Sequence, residues 1–298
     1  MTVLEIIKRS TDFLARKGVD SPRLQTELLL AHLLGLPRMK LYLNFERALV
    51  ASEVEAFRGL IQRRGQREPL QYLVGSTSFC GLEIALNQHV LIPRPETELL
   101  AERGWQFLSQ LSTTNSQLST ALDFGAGSGC IAIAMAIKSP GAQVYALEIC
   151  SDAIVVARQN AERHGVMERI EFFEGDGFAV LPEALAFDLI ISNPPYIPTA
   201  EIESLQPEVR DHEPRRALDG GVDGLDYFRR LAAEAAPFLK ASGSLMLEFG
   251  DSQAEAIRDI FQHEKWIVEA IHEDYTRRPR ILVAKRPGSR ETDTDGQR

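Results

Sequence analysis

Through the first 70 positions apolar residues recur at three- and four-residue spacing, with Leu4, Ile7 and Leu14 among them. That is the period of helices burying one face. Asp20-Ser21-Pro22 supplies a cap followed by proline in a first turn, and Ser52 with Glu55 three residues on reads as a capping box for a helix ending near Arg64-Gly65. The front therefore predicts a small helical bundle, 1–70. Over 71–93 apolar and polar positions alternate around Gly75 and Gly81, which predicts a β-hairpin linker. A helix is expected over 96–108, and the polar, low-complexity run 112–120 predicts a mobile connector.

From Ala121 short apolar runs alternate with helical patterns: ALDF, IAIAMAI, QVYALEI, DAIVVARQNAERHG and IEFFEG. This rhythm predicts βαβ units and a parallel sheet. Further strands are expected at 187–192, 244–248, 267–272 and 280–284, and helices at 225–239 and 252–263. The large domain is thus expected over 94–285, with a disordered polar tail over 286–298.

Composition narrows the function classes. The chain has 298 residues, 44% hydrophobic and 25% charged, ordinary globular values compatible with two domains. No run approaches the roughly 20 apolar residues of a membrane span, and the amino terminus lacks a signal-peptide pattern, so a cytoplasmic protein is expected. Three widely spaced cysteines and six scattered histidines form neither a disulfide framework nor a metal site. Residues 1–70 hold 12 Lys and Arg against 8 Asp and Glu, whereas the remainder holds 21 against 34. A basic front on an acidic body fits either an acidic partner or a solvated helical surface.

The candidate chemistry lies at two strand ends. Asn193-Pro194-Pro195-Tyr196 closes the apolar run 187–192, and the carboxyl edge of a parallel sheet is where ligands bind. Two prolines fix φ and remove two donors, so the corner presents carbonyl acceptors beside a carboxamide and an aromatic face. It suits a planar group bearing an NH2. Asp123-Phe124-Gly125-Ala126-Gly127-Ser128-Gly129 follows the first strand of the sheet and opens a helix, offering close backbone approach and unpaired N–H groups. Glu148 ends the next strand, where a carboxylate accepts ribose hydroxyls, and Asp176-Gly177 follows the third. The third glycine of the loop comes one residue early for a dinucleotide fingerprint, which speaks against a nicotinamide dehydrogenase.

These residues resemble motif I of methyltransferases that use S-adenosylmethionine, and most of the chain resembles the release-factor glutamine methyltransferase family. The likeness includes 69–72 with Gly75, 90–98 (VLIPRPETE), Glu213-Pro214, 217–221, 223–225, Glu248, Gly250 and Gln253. It implies an α/β, Rossmann-like seven-stranded sheet with a small helical substrate-recognition domain. It also implies methyl transfer from S-adenosylmethionine, leaving S-adenosylhomocysteine, to the glutamine amide of the Gly-Gly-Gln motif in peptide-chain release factors. Asn193, Pro194, Pro195 and Tyr196 then hold substrate, with Asn193 also near the cofactor. Cofactor contacts fall to Asp123, Phe124, Gly125, Ala126, Gly127, Ser128, Gly129, Glu148, Asp176 and Gly177, and Arg94, Pro95, Glu96 and Thr97 stand behind them. Two positions depart from the family: Glu148 replaces the usual Asp, and Gly177 stands where a bulky residue is common. No membrane and no direct nucleic acid is expected. A methyltransferase acting on a nucleic-acid base stays open as the alternative, since a base amine suits the same corner. A binding-only adaptor is a more distant one.

Overall fold

The computed structural model describes residues 1–114 and 118–288. They divide into two compact units, the first comprising 1–77, 86–88 and 205–213, the second 78–85, 89–204 and the residues from Pro214 onward. The first unit packs α1 (Val3–Arg16), α2 (Pro22–Leu33), α3 (Arg38–Tyr42), α4 (Ala51–Gly65) and α5 (Leu70–Val74). Its core is built from Val3, Ile7, Leu14, Leu29, Leu30, Leu41, Phe57 and Ile61, the apolar stripes anticipated from spacing. Thr2 caps α1 in a true capping box with Glu5. In α4 the box expected at Ser52 and Glu55 does not form: the helix is capped two residues earlier, at Val50, and Glu53 accepts the Val50 N–H at 3.0 Å.

The hairpin β1 (Ser76–Phe79) and β2 (Leu82–Ala85) turns through Cys80-Gly81. Both have positive φ, 51° and 77°, as a two-residue type I′ turn requires. The expected ribbon over 71–93 is shorter than predicted, because 70–74 form α5 after Pro69 instead. Then follow α6 (Pro95–Thr114), β3 (Ser119–Phe124), α7 (Cys130–Lys138), β4 (Ala142–Glu148), α8 (Ser151–Arg163), β5 (Ile170–Glu174) and β6 (Phe187–Ser192). The chain crosses to the first unit for α9 (Pro207–Arg210) and returns for α10 (Asp226–Glu234), β7 (Leu239–Glu248), α11 (Ala254–His263), β8 (Ile267–Glu273) and β9 (Pro279–Lys285). The helix expected over 225–239 stops at Glu234, with Pro237 in a 3-10 turn, and β7 starts five residues before the predicted strand. Of the expected connector 112–120, 112–114 extend α6 and Ser119 opens β3, while 115–117 lie outside the described residues. So do positions 289–298 of the expected tail.

The seven-stranded sheet has the order β5-β4-β3-β6-β7-β9-β8. Strands β3 to β7 run parallel, and β9 is antiparallel to both β7 and β8. Central strands β3 and β6 are buried along almost their whole length, as sheets covered by helices on both faces demand. The first unit is internally tied by Glu208, which accepts from Arg64 at 2.6 Å and from Arg67 at 2.7 and 2.6 Å. Burial pushes this carboxyl up, but hydrogen bonds from Arg67 and then Arg64 outweigh it and hold its pKa at about 2. Three acidic residues of the returning segment, Glu208, Asp211 and Glu213, face one Arg210, so the unit is less basic than its first 70 residues.

Candidate active site

Successive strands β3, β4 and β5 build outward in one direction, and β6 begins on the other side of β3. The carboxyl ends of β3 and β6 therefore frame the switch point where ligands settle in open α/β sheets. Asp123 of β3 lies opposite Ile191 of β6, and the buried Ser192 hydroxyl donates to the Phe124 carbonyl at 2.6 Å. The two loops expected to carry the chemistry thus leave the sheet side by side.

Gly125, Gly127 and Gly129 all have positive φ. A Cβ on Gly125 or Gly127 would meet nothing within 4 Å, so both face open space, whereas Gly129 packs on Ala157. Asp123 is fully buried; Oδ2 accepts the Ala132 N–H at 3.0 Å, and Oδ1 has no partner among the described residues. Burial above all raises its pKa to about 7, against the Ala132 hydrogen bond and with help from Glu148. Glu148 ends β4 and receives the Gly127 and Cys150 N–H groups, each at 2.9 Å. Its extra methylene is thereby absorbed by the loop it supports. An open glycine cradle, an unpartnered buried acceptor and a carboxylate at the second strand end fit a nucleoside-bearing cofactor with an amino-acid tail.

Two further residues shape this end and were not singled out in the sequence. Arg230 of α10 pairs with the Asp176 carboxylate and donates to the Asp176 carbonyl at 3.0 Å. Its guanidinium fills the space that a side chain on Gly177 would need, which is the physical reason for glycine there. Tyr227, one turn earlier on α10, is kept protonated first by burial and then by the nearby charges of Asp176 and Glu148. Behind the loop, fully buried Asn160 donates to Ser128 and Ala85 carbonyls at 3.0 and 3.1 Å and accepts the Ala85 N–H at 2.8 Å. A polar residue inside a helix pattern gave no hint of that role.

At the second corner Pro194 is buried and Asn193 half-buried. Asn193 Nδ2 donates to Thr97 Oγ1 at 3.1 Å, while among the described residues neither Asn193 Oδ1 nor the Pro194 carbonyl accepts a hydrogen bond. Thr97, buried in the first turn of α6, in turn donates to Glu248 at the end of β7. Of the outer group, Thr97 thus touches the corner, and Arg94 and Glu96 act on Tyr196 and Glu248 through charge. The Tyr196 ring packs against the main core, and its hydroxyl is pushed up to about 12 by burial and then by Glu248. Gln253 accepts the Gly250 N–H and donates to the Tyr196 carbonyl, both at 2.9 Å. The 218–225 segment braces the same corner through Ile197 N–H to Leu218 O at 3.0 Å and Gly220 N–H to Ile197 O at 2.9 Å. A Cβ on Gly220 would sit 2.8 Å from the Tyr196 Cα, so only glycine permits this approach.

A seven-stranded sheet with its final strand antiparallel to its neighbours, an open glycine loop and an adjacent acceptor corner define a class I methyltransferase. The fold agrees with that of a methyltransferase from Pyrococcus furiosus, TM-score 0.50 at 19% identity, covering 76% of this chain and 98% of that one. Residues 5–75 match the PrmC N-terminal domain and 102–206 the methyltransferase small domain. Release factor glutamine methyltransferase of Geobacter sulfurreducens is 47% identical over 260 residues, 87% of this chain and 88% of that one. Its counterpart in Chlorobaculum tepidum is 44% identical over 262 residues, with 87% and 89% covered. The chain belongs to the release factor glutamine methyltransferase family.

Proposed function

We propose that the protein methylates the side-chain amide nitrogen of the glutamine in the Gly-Gly-Gln motif of peptide-chain release factors. The single observation carrying this assignment is the pair of unclaimed acceptors, Asn193 Oδ1 and the Pro194 carbonyl, at the switch point beside the glycine loop. An amide nitrogen is a poor nucleophile because its lone pair is delocalised into the carbonyl. Two fixed acceptors, one for each N–H, aim the nitrogen and help its lone pair out of conjugation. Pro195 stiffens the turn, and Tyr196 walls the site.

S-adenosylmethionine supplies the activated methyl. Asp123 through Gly129, Glu148, Asp176 and Gly177 are the residues assigned to hold it, with Asn193 at the junction of the two loops. No dedicated base is required before attack, since the nitrogen becomes acidic once methylated and releases its proton to water or a carbonyl. The site orients the amide and excludes water.

The helical unit serves to dock the release factor, since a tripeptide loop alone offers little selective contact. The enzyme is assigned to the cytoplasm, where its substrate acts in translation. Methylation of a nucleic-acid base is the weaker assignment, as the residues beyond position 70 carry 34 acidic against 21 basic side chains and disfavour a phosphate backbone.

Radiolabelled methyl transfer to release factor, a Gly-Gly-Gln peptide, tRNA and duplex DNA tests the assignment. Label should enter the two glutamine substrates, with a much lower KM for release factor than for peptide. Equal KM values reject docking, and label in nucleic acid alone rejects the function. Asn193→Ala should lose turnover by about 10²-fold or more while retaining cofactor affinity. Parallel loss of both would assign Asn193 to the cofactor rather than to the substrate.

A further inference from the structure

We infer that Thr97 and Glu248 are positioning residues that lock the Asn193 carboxamide with its oxygen toward the substrate, and that the protonation of Glu248 controls the lock. The inference deepens the glutamine-methylation assignment and rests on it for its kinetic consequence. A threonine hydroxyl has one proton and accepts with its lone pairs, whereas a carboxamide has a donor end and an acceptor end of nearly identical shape. Asn193 Nδ2 lies 3.1 Å from Thr97 Oγ1, and Thr97 gives its hydroxyl proton to Glu248.

With that proton committed to a carboxylate, Oγ1 faces Asn193 only as an acceptor. The flipped amide would put Asn193 Oδ1 against Oγ1, acceptor against acceptor, at the loss of a hydrogen bond. The ionised carboxylate therefore fixes which end of Asn193 points outward. An outward oxygen accepts a substrate N–H; an outward NH2 repels it.

Protonated Glu248 has the opposite effect. It donates to Oγ1, the Thr97 proton turns to Asn193, and the flipped amide becomes as well bonded as the original. Glu248 is placed for this switch: it is 1% exposed, and one carboxylate oxygen has no partner among the described residues. The groups facing it are Arg280 of β9, Arg94 and Glu96 beside the start of α6, and the Tyr196 phenol. Burial, opposed by Thr97 and Arg280, raises its pKa to about 7. Turnover should accordingly rise with pH through neutrality.

The test uses Thr97→Val, which keeps shape and deletes the hydroxyl, Thr97→Ser, which restores it, and Glu248→Gln, which does not titrate. On a Gly-Gly-Gln peptide Thr97→Val should lower kcat by about 10- to 100-fold, with calorimetric affinity for S-adenosylhomocysteine unchanged, and Thr97→Ser should recover most of the loss. Wild-type kcat should climb with a midpoint near pH 7, and Glu248→Gln should lack that limb. In 15N spectra the Asn193 side-chain NH2 resonances should titrate with the same midpoint in wild type and stay fixed in Glu248→Gln.

Wild-type turnover in Thr97→Val, an unchanged pH limb in Glu248→Gln, or equal loss of kcat and cofactor affinity in Thr97→Val would each overturn the lock. The spectral arm separates it from the functional assignment. An Asn193 titration in a protein that fails to methylate the peptide sinks the assignment and keeps the lock; an active enzyme whose Asn193 resonances ignore pH sinks the lock alone.

Discussion

Replacing Asn160 with alanine isolates the side chain that ties the glycine loop to the hairpin. Three hydrogen bonds disappear at a fully buried position: the donations to Ser128 and Ala85 carbonyls and the acceptance from the Ala85 N–H. At a net ~1 kcal/mol each, their loss costs about 3 kcal/mol. For a chain of this size that corresponds to a fall in Tm of roughly 6–12 °C. The Ser128 carbonyl also loses its anchor, so the loop should loosen and affinity for S-adenosylhomocysteine should fall severalfold. Asn160→Asp is the sharper control, because it retains the acceptor but sets a carboxylate against two carbonyls, and it should be at least as destabilising. Thermal melts and calorimetric titrations of both variants give the answer. An alanine variant melting within about 2 °C of wild type with unchanged affinity, or an aspartate variant more stable than the alanine one, would refute the reasoning.

Glu208→Ala should destabilise the protein by about 3–5 kcal/mol, because it strands the guanidinium of Arg64, 3% exposed, without its carboxylate; denaturant titration measures it. The folded pKa of Glu208, about 2 against an ordinary 4.5, places its stabilising contribution above pH 4.5 and removes it as pH falls toward 2. Melts of wild type and variant should therefore converge in strong acid. Glu248 runs the other way: with its pKa raised from 4.5 to about 7, the fold is penalised increasingly as pH climbs from 4.5 to 7, by on the order of 3 kcal/mol. Glu248→Gln should accordingly melt higher than wild type at pH 8 and equally at pH 4, even while it loses the pH dependence of turnover. Arg230→Ala should weaken S-adenosylhomocysteine binding by about fivefold, since the Asp176 segment loses both its ion pair and its backbone tie; unchanged affinity by calorimetry would remove Arg230 from the site.

What could be read from the chain before its structure divides along a physical line. The parallel sheet was legible because β3 and β6 are buried on both faces and therefore appear as continuous apolar runs. The glycine loop and the proline corner were legible because each must be built from adjacent residues of restricted backbone. Short elements were not: five-residue α5 spans too little of a helical period to compete with the alternation around it, and the first residues of β7 (LKASG) carry no apolar pattern. Nor was the attachment of 205–213 to the helical unit, which depends on Arg64 meeting Glu208 across 144 positions. The same limit hid Asn160 as a support of the site, and hid the residue that Thr97, already expected behind it, would meet. Asn160 meets Ala85 across 75 positions and Asn193 meets Thr97 across 96, and nothing in the local pattern of a polar residue names a partner so distant. Glu248 was legible only as part of the family likeness, although a carboxylate closing a parallel strand next to the switch point stands where ligands collect. The proline corner is thus written twice: adjacent residues of restricted backbone shape it, and a long-range hydrogen bond to Thr97 holds its one rotatable amide.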